Sequence, residues 1–256
     1  MATARVVVVT GASSGIGAAL ARKLGAQGHS VVLAARRAAQ LETVRAESGT
    51  SARSMVCDVT HRDQVEELRD FALAATGRID VWVNNAGRGI ARSVLELTDE
   101  DFDEMMRVNA KSVLYGMQAA VPVFQRQGDG HVVNVSSFLG RVPVATFRSA
   151  YSAAKAAMMS LSASLRMDLR RSYPGVHVSC ILPGMVTTEF ANNARGGLPP
   201  NIARHGNAPT PQTPEAVADV IIETIAKPRA EVYTNPAQSA QIVARYFGDI
   251  DAYETS

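Results

Sequence analysis

Tyr151 and Lys155 stand four residues apart in the run YSAAKAAMMSLSASLRMDLR, which reads as one helix. At that spacing two side chains share a helix face and their heads can be neighbours. A tyrosine hydroxyl titrates near pH 10 and is a poor acid or base at neutrality. An ammonium beside it favours the phenolate and brings that value down. A tyrosine tuned in this way can pass a proton to or from an alcohol oxygen. Alone, the pattern is common and equally describes a surface pair. Its setting gives it weight: a strand, His131–Val135, ends in Ser136-Ser137 shortly before it, and a glycine-rich turn opens the chain.

That turn lies in VVVVTGASSGIG, Val6–Gly17. Val6–Val9 is a short β-branched run, the pattern of a strand buried on both faces of a parallel sheet. Thr10 ends it, glycines follow at Gly11, Gly15 and Gly17 with Ser13, Ser14 and Ile16 between them, and Ala18–Ala26 reads as a helix. Glycines let a backbone turn sharply and approach a pyrophosphate, while the N–H groups and dipole of a helix start face its charge. The spacing is G-x-x-x-G-x-G, not the usual G-x-G-x-x-G fingerprint. The second strand, Ser30–Ala35, runs straight into Arg36 and Arg37. An acidic residue there would bind the adenosine ribose hydroxyl, whereas arginine favours a 2′-phosphate. Two guanidiniums without an adjacent carboxylate point to NADP(H) over NAD(H).

The remaining elements must hold these groups in place. Strands are expected at Ala52–Cys57, ending at Asp58; at Ile79–Val83, with Trp82 as core; at Val176–Leu182, closed by Pro183-Gly184; and at Glu231–Thr234. Ile79–Val83 runs into Asn84-Asn85-Ala86-Gly87, a polar, small-residue end that suits the ligand crevice of an open α/β sheet. Helices are expected at Ala38–Glu47, Arg62–Ala75 and Glu215–Ala226, with one short helix in the tail 237–256. Thr98–Arg126 reads as one mostly helical region holding Asn109, a residue type that in mid-helix is usually neutral or solvent-facing. Residues 190–212 are rich in Asn, Gly and Pro and form a candidate substrate lid. Strands alternate with helices throughout, so the fold class is α/β, a three-layer doubly wound parallel sheet in a single domain spanning 1–256.

Composition narrows the partners. A net charge of +2 over 256 residues gives no push toward nucleic acid or anionic membranes. No apolar run approaches the roughly 20 residues that span a bilayer. The apolar run at the N-terminus is the first strand, not a signal peptide. Cys57 and Cys180 each end an apolar run and read as buried thiols of a reducing, cytoplasmic compartment. The five histidines lack ligand spacing, so no metal is expected.

Taken together, Thr10-Gly11-Ala12-Ser13-Ser14-Gly15-Ile16-Gly17, Asp58-Val59, Asn84-Asn85-Ala86-Gly87, Asn109, Ser137, Tyr151-x-x-x-Lys155 and Pro183-Gly184-Met185-Val186-Thr187-Thr188 form a specific set. On it the chain resembles the short-chain dehydrogenases/reductases, in their short single-domain form, over nearly its full length. The resemblance implies a seven-stranded Rossmann-type sheet and a catalytic tetrad of Asn109, Ser137, Tyr151 and Lys155. By it, Asp58 contacts the adenine amino group, with Val59 beside it, and Asn85, Ala86 and Gly87 line the adenosine side. Lys155 holds the nicotinamide ribose, the Pro183-Gly184 loop with Val186 and Thr188 holds the carboxamide, and Asn109 anchors a water in a proton relay. Two departures stand out. Ser137 lies fourteen residues before Tyr151, one more than is usual, which leaves Ser136 as an alternative and a longer substrate loop. Position 14 is Ser, where NADP users often carry a basic residue.

The implied reaction is hydride transfer between nicotinamide and a carbonyl or secondary alcohol. Tyr151 is then the acid in reduction, Ser137 binds the substrate oxygen, and Lys155 lowers the tyrosine's pKa. Ile90, Phe138, Leu139, Val144, Phe147, Met185 and Phe190 flank the motifs and are expected to line a pocket for an apolar ketone or aldehyde. Helices holding Val108–Val123 and Ala154–Leu169 carry more apolar and small positions than one sheet face needs, which predicts a homodimer or homotetramer. The alternatives are an NAD-linked alcohol dehydrogenase and a non-catalytic dinucleotide sensor; an intact tetrad weighs against the sensor.

Overall fold

The structure is a computed structural model that describes residues 4–190, 193–197 and 211–255. Its strands are β1 (Val6–Thr10), β2 (Ser30–Ala35), β3 (Arg53–Val56), β4 (Val81–Asn84), β5 (Gly130–Val135), β6 (Val176–Leu182) and β7 (Glu231–Tyr233). All pair in parallel in one sheet, in the order β3-β2-β1-β4-β5-β6-β7. The order reverses between β1 and β4, and an open sheet binds ligands beyond its strand ends at such a reversal. Between the strands run α1 (Gly15–Ala26), α2 (Ala38–Glu47), α3 (Arg62–Thr76), α4 (Asp99–Met106), α5 (Ser112–Gln127), α6 (Ser149–Leu169) and α7 (Pro214–Ala226). α8 (Pro236–Gly248) and α9 (Ile250–Glu254) close the chain.

Alternation along β1 shows why the strand must be apolar on both sides. Val7 and Val9 pack with Leu20 and Leu24 of α1 and Val217 and Ile221 of α7, while Val8 faces Leu68 of α3, Phe124 of α5 and Met158 of α6. Burying each such side chain contributes roughly 1.5–3 kcal/mol. A chain of buried polar groups then ties β4 and β5 to α6. Trp82 Nε1 donates to Asn84 Oδ1 (2.8 Å), Asn84 Nδ2 to Asn134 Oδ1 (2.9 Å), and Asn134 Nδ2 to Ser162 Oγ (2.8 Å). Gly116 on α5 makes room for it, since a Cβ there would stand 2.1 Å from Asn84 Oδ1.

Apart from element ends that move by a residue or two, as at β4, the structure differs from the sequence expectations at four places. α1 begins at Gly15 rather than Ala18, because the last two glycines of the turn, Gly15 and Gly17, already lie in the helix's first turn. β3 is shorter, covering only Arg53–Val56. The tail holds two helices, with Pro236 opening the first. The single helical region 98–126 is two α-helices separated by a π-helical turn, Arg107–Lys111, with Asn109 at its centre. Such π-turns often lie at functional sites. Among the described residues no helix is long and apolar enough to cross a membrane.

Candidate active site

The site is assembled from the C-terminal ends of β1, β4, β5 and β6. At the first, the glycine turn is pressed against the end of β4. Gly11 and Gly15 have φ of +66° and +55°, where a side chain would strain the backbone. A Cβ on Gly11 would also lie 2.8 Å from Ala86 Cα, and one on Gly17 2.5 Å from Asn85 Nδ2. Thr10 Oγ1 donates to Val83 O (3.2 Å) and accepts from the N–H groups of Asn85 (3.0 Å) and Ala86 (3.2 Å). Asn85 Nδ2 donates to Thr10 O (2.9 Å) and Gly11 O (3.2 Å), so this side chain stitches the turn to β4.

The first turn of α1 has neither a side-chain cap nor an acidic residue, which leaves its N–H groups and positive dipole end for an anion. Beside it lies a cleft of about 570 Å³, lined by Ser13, Ser14, Gly15, Thr187 and Thr188 among others. The Thr188 methyl would stand 3.2 Å from a Cβ on Gly15, so the loop after β6 overhangs the turn. Within that loop Pro183 is buried and its carbonyl accepts from Phe138 N (2.8 Å), Gly184 is exposed, and Val186 bridges to Gln212. Ile16 packs against the core from the other side. These features fit a pyrophosphate-bearing dinucleotide.

The two arginines after β2 diverge. Arg37 reaches over the turn, its Nη2 donating to Ser14 Oγ (2.6 Å) and Ser13 Oγ (3.2 Å). Arg36 is two-thirds exposed and lies 3.8 Å from Asp58 Oδ2. The sequence showed no carboxylate next to this pair. The fold supplies two, Asp58 to Arg36 and Glu189 to Arg37 (3.4 Å). Burial raises the Asp58 pKa, but hydrogen bonds from Thr60 N (3.0 Å) and Oγ1 (2.8 Å) and the Arg36 charge outweigh it, so the carboxyl lies below its ordinary value. Val59 is buried in the core facing α3.

Ser137 and Ser136, just beyond β5, make different contacts. The Ser137 hydroxyl accepts from Leu139 N (3.1 Å) and stands beside Tyr151, whereas Ser136 Oγ donates to Lys155 O (3.2 Å) on the helix backbone. Lys155 Nζ lies 5.6 Å from the Tyr151 ring centroid and donates to Val135 O (2.8 Å). Asn109 is fully buried: its Oδ1 accepts from Arg88 N (3.1 Å), and its Nδ2 donates to Arg88 O (2.9 Å) and Met105 O (3.1 Å). It is not solvent-facing, because the π-turn aims it at the loop after β4. Gly87 separates Asn109 from Lys155; a Cβ there would lie 2.9 Å from Asn109 Oδ1 and 3.6 Å from Lys155 Nζ.

Electrostatics correct one expectation. Burial pushes the Tyr151 hydroxyl up to about 12, with Ser137 and Arg148 pulling the other way. Burial likewise brings Lys155 down to about 7. In this state the ammonium does not lower the tyrosine, because desolvation of both groups dominates and Nζ is turned to the Val135 carbonyl.

The expected pocket residues separate. Ile90, Leu139 and Phe190 pack with Tyr151, the Phe190 ring edge-on at 5.5 Å. Phe138 turns to Tyr233 (6.4 Å between centroids), and Val144 and Met185 are exposed. Phe147 lies against the Arg148 guanidinium, 5.4 Å from its ring centroid. Of the candidate lid 190–212, residues 191–192 and 198–210 lie outside the described residues; 193–197 are pinned, with Ala91 N donating to Arg195 O (2.8 Å) and Arg195 N to Gly89 O (3.0 Å).

Sequence reasoning missed an ion network on this side. Asp101 pairs with Arg195 (2.5 Å) and Arg92 (2.9 Å), and Glu104 pairs with Arg195 (2.5 Å) and Arg88. Asp101 and Glu104 lie one turn apart on α4, a spacing visible in the sequence; their partners are scattered along loops and carry no pattern. Among the described residues no group of three or more His, Cys, Asp or Glu could hold a metal ion.

Comparison with known proteins agrees with this architecture. The family model for short chain dehydrogenases matches residues 5–198. An uncharacterized oxidoreductase of Staphylococcus epidermidis is 38% identical over 193 residues, covering 75% of this chain and 83% of its own. A short-chain dehydrogenase/reductase from Burkholderia phymatum in complex with NAD superposes with a TM-score of 0.84 at 30% identity, covering 98% of this chain and 95% of its own. An alcohol dehydrogenase from Thermococcus sibiricus complexed with 5-hydroxy-NADP does so at 0.77 and 27%, covering 90% and 96%. The chain belongs to the short-chain dehydrogenase/reductase family and is a nicotinamide-dinucleotide-dependent oxidoreductase interconverting CH–OH and C=O.

Proposed function

We propose that the chain is an NADP(H)-preferring reductase of a carbonyl substrate, running in reverse on the corresponding secondary alcohol. The observation that carries this reading is the meeting of Ser137 and Lys155 with the buried Tyr151 beside the glycine turn. When bound, the dinucleotide supplies or accepts the hydride. Ser137 Oγ holds the substrate oxygen, and Tyr151 delivers its proton there during reduction. A hydroxyl whose value is raised by burial stays protonated at neutral pH, the form that reduction requires. Lys155, brought down to about 7, can take or release a proton near neutral pH. Asn109, locked by Arg88 and Met105, holds the floor of this proton path.

Preference for the 2′-phosphate is supported by Arg37, whose guanidinium already lies across Ser13 and Ser14, while Arg36 is exposed and faces Asp58. Ile90, Leu139 and Phe190 supply an apolar wall for the substrate. Two buried free thiols are in keeping with a reducing, cytoplasmic setting. The exposed face of α6 (Ala153, Ala156, Ser160, Leu161, Ser164 and Met167) carries no charge before Asp168 in the last turn, which favours a homo-oligomer paired through this helix and α5.

Tyr151→Phe tests the chemistry, since it removes the proton and keeps the ring. Turnover should fall by about 10²–10⁴-fold, the usual contribution of general acid–base catalysis, with dinucleotide affinity little changed. Near-native turnover in this variant would remove Tyr151 from the mechanism.

A further inference from the structure

Arg148 immediately precedes α6, three residues ahead of Tyr151, and its side chain is folded inward, leaving the residue 8% exposed. Gly89 makes the space, for a Cβ there would stand 2.5 Å from Arg148 Nη1 and 2.9 Å from Phe190 Cε1. The guanidinium therefore sits beside Phe190, whose ring packs on Tyr151. Among the described residues it makes one side-chain hydrogen bond, from Nη1 to Ile90 O (3.0 Å). Among the described residues its Nε and Nη2 have no acceptor and no carboxylate pairs with it. The residues outside that set contain no Asp or Glu.

The nearby carboxylates are already engaged. Asp101 and Glu104 hold Arg88, Arg92 and Arg195 between them, so three guanidiniums already share these two carboxylates and none is left for Arg148. A guanidinium stays charged in a protein, and a buried charge without a counter-ion is costly unless a ligand supplies one. The edge left open, Nε with Nη2, is the planar fork that takes a carboxylate by two parallel hydrogen bonds. One guanidinium set against the apolar wall of Ile90, Leu139 and Phe190 suits a singly charged planar anion rather than a phosphate dianion, which calls for more donors.

We propose that Arg148 is the specificity-determining residue of the substrate site and that the substrate is an oxo acid or hydroxy acid, its carboxylate held by the Nε–Nη2 edge while its carbonyl lies at Tyr151. This rests on the oxidoreductase reading and replaces the expected wholly apolar ketone with an apolar body bearing one anionic end. Arg148 also works against the burial that raises Tyr151, so truncating it touches proton transfer as well as binding.

The test uses the enzyme with either nicotinamide dinucleotide and three matched probe pairs: pyruvate, acetoacetate and levulinate, each against its methyl ester. A charge-assisted contact predicts that at least one acid exceeds its ester in kcat/KM by roughly ten- to hundredfold. In Arg148→Met that ratio should fall to one or below, and Arg148→Lys should restore part of it. A merely structural role would lower acid and ester together and leave the ratio unchanged. Thermal stabilisation of the enzyme–NADP⁺ complex by the same acids and esters gives a second readout, independent of turnover. The proposal is overturned if wild-type enzyme shows no acid selectivity in either readout, or if selectivity survives in Arg148→Met. Equal turnover of acids and esters would defeat it and leave the oxidoreductase reading standing. Acid-selective binding lost in Arg148→Met, without hydride transfer to any probe, would uphold the Arg148 site and count against Tyr151 as the proton donor.

Discussion

Lys155→Met should stabilise the dinucleotide-free protein while abolishing its activity, and the gain should fade as pH rises. Lys155 is 3% exposed and, among the described residues, its ammonium has a single hydrogen-bond partner, the Val135 carbonyl. Burial takes its pKa from 10.5 to about 7. The sign follows from proton binding: between these values the unfolded chain holds a proton that the folded chain has released, so folding weakens as pH falls through that window. The penalty is largest at and below pH 7 and vanishes above pH 10.5. At about 1.4 kcal/mol per pH unit it comes to about 4 kcal/mol at pH 7 and about 1 kcal/mol at pH 9.5. Methionine has similar length and no charge, so it removes this term and loses one hydrogen bond, worth about 1 kcal/mol. The net gain is about 3 kcal/mol at pH 7, roughly 6–12 °C in Tm for a chain of this size. Near pH 9.5 it should be close to zero. The assay is thermal or urea denaturation of both proteins across pH 7 to 9.5, below the range where Tyr151 titrates. A difference between the two that does not change with pH, or a variant less stable throughout, would refute a desolvated Lys155.

Two further outcomes follow from the dinucleotide cleft and from α6. Arg37→Ala should erase most of an NADPH preference of roughly ten- to hundredfold, the worth of one good contact to a charged group, while NADH binding changes little. Arg36→Ala should do less, because Arg36 is exposed and faces Asp58; equal binding of both dinucleotides by the wild type would end the assignment. Light scattering at micromolar concentration should give a multiple of 27.2 kDa, and Met167→Glu on the exposed face of α6 should shift it toward the monomer. A wild-type monomer would show that this face has no partner copy.

The α/β class, the glycine turn, the strand ends and the Tyr151–Lys155 pair were all legible in the sequence, because each rests on local physics. A β-branched run buried on both faces, a turn that only glycine accommodates and a four-residue helical spacing are short-range properties, and the structure arranges them as expected. The polar chain from Trp82 to Ser162 and the π-turn at Asn109 were not legible, since they depend on which helix packs over which strand. Nor were the signs of the site's electrostatics. Proximity suggested that Lys155 lowers Tyr151; burial of both groups, a property of the whole fold, reversed this. Arg36 and Arg37 stood without an acidic neighbour in sequence, yet tertiary contact brings Asp58 and Glu189 to them. Arg148 carries no pattern in the sequence, and only the assembly of the loops after β4 and β6 around α6 encloses its charge. The sequence by itself determined which groups could do the chemistry. Tertiary structure decided their charge states and their neighbours, because desolvation and pairing are set by atoms far away along the chain.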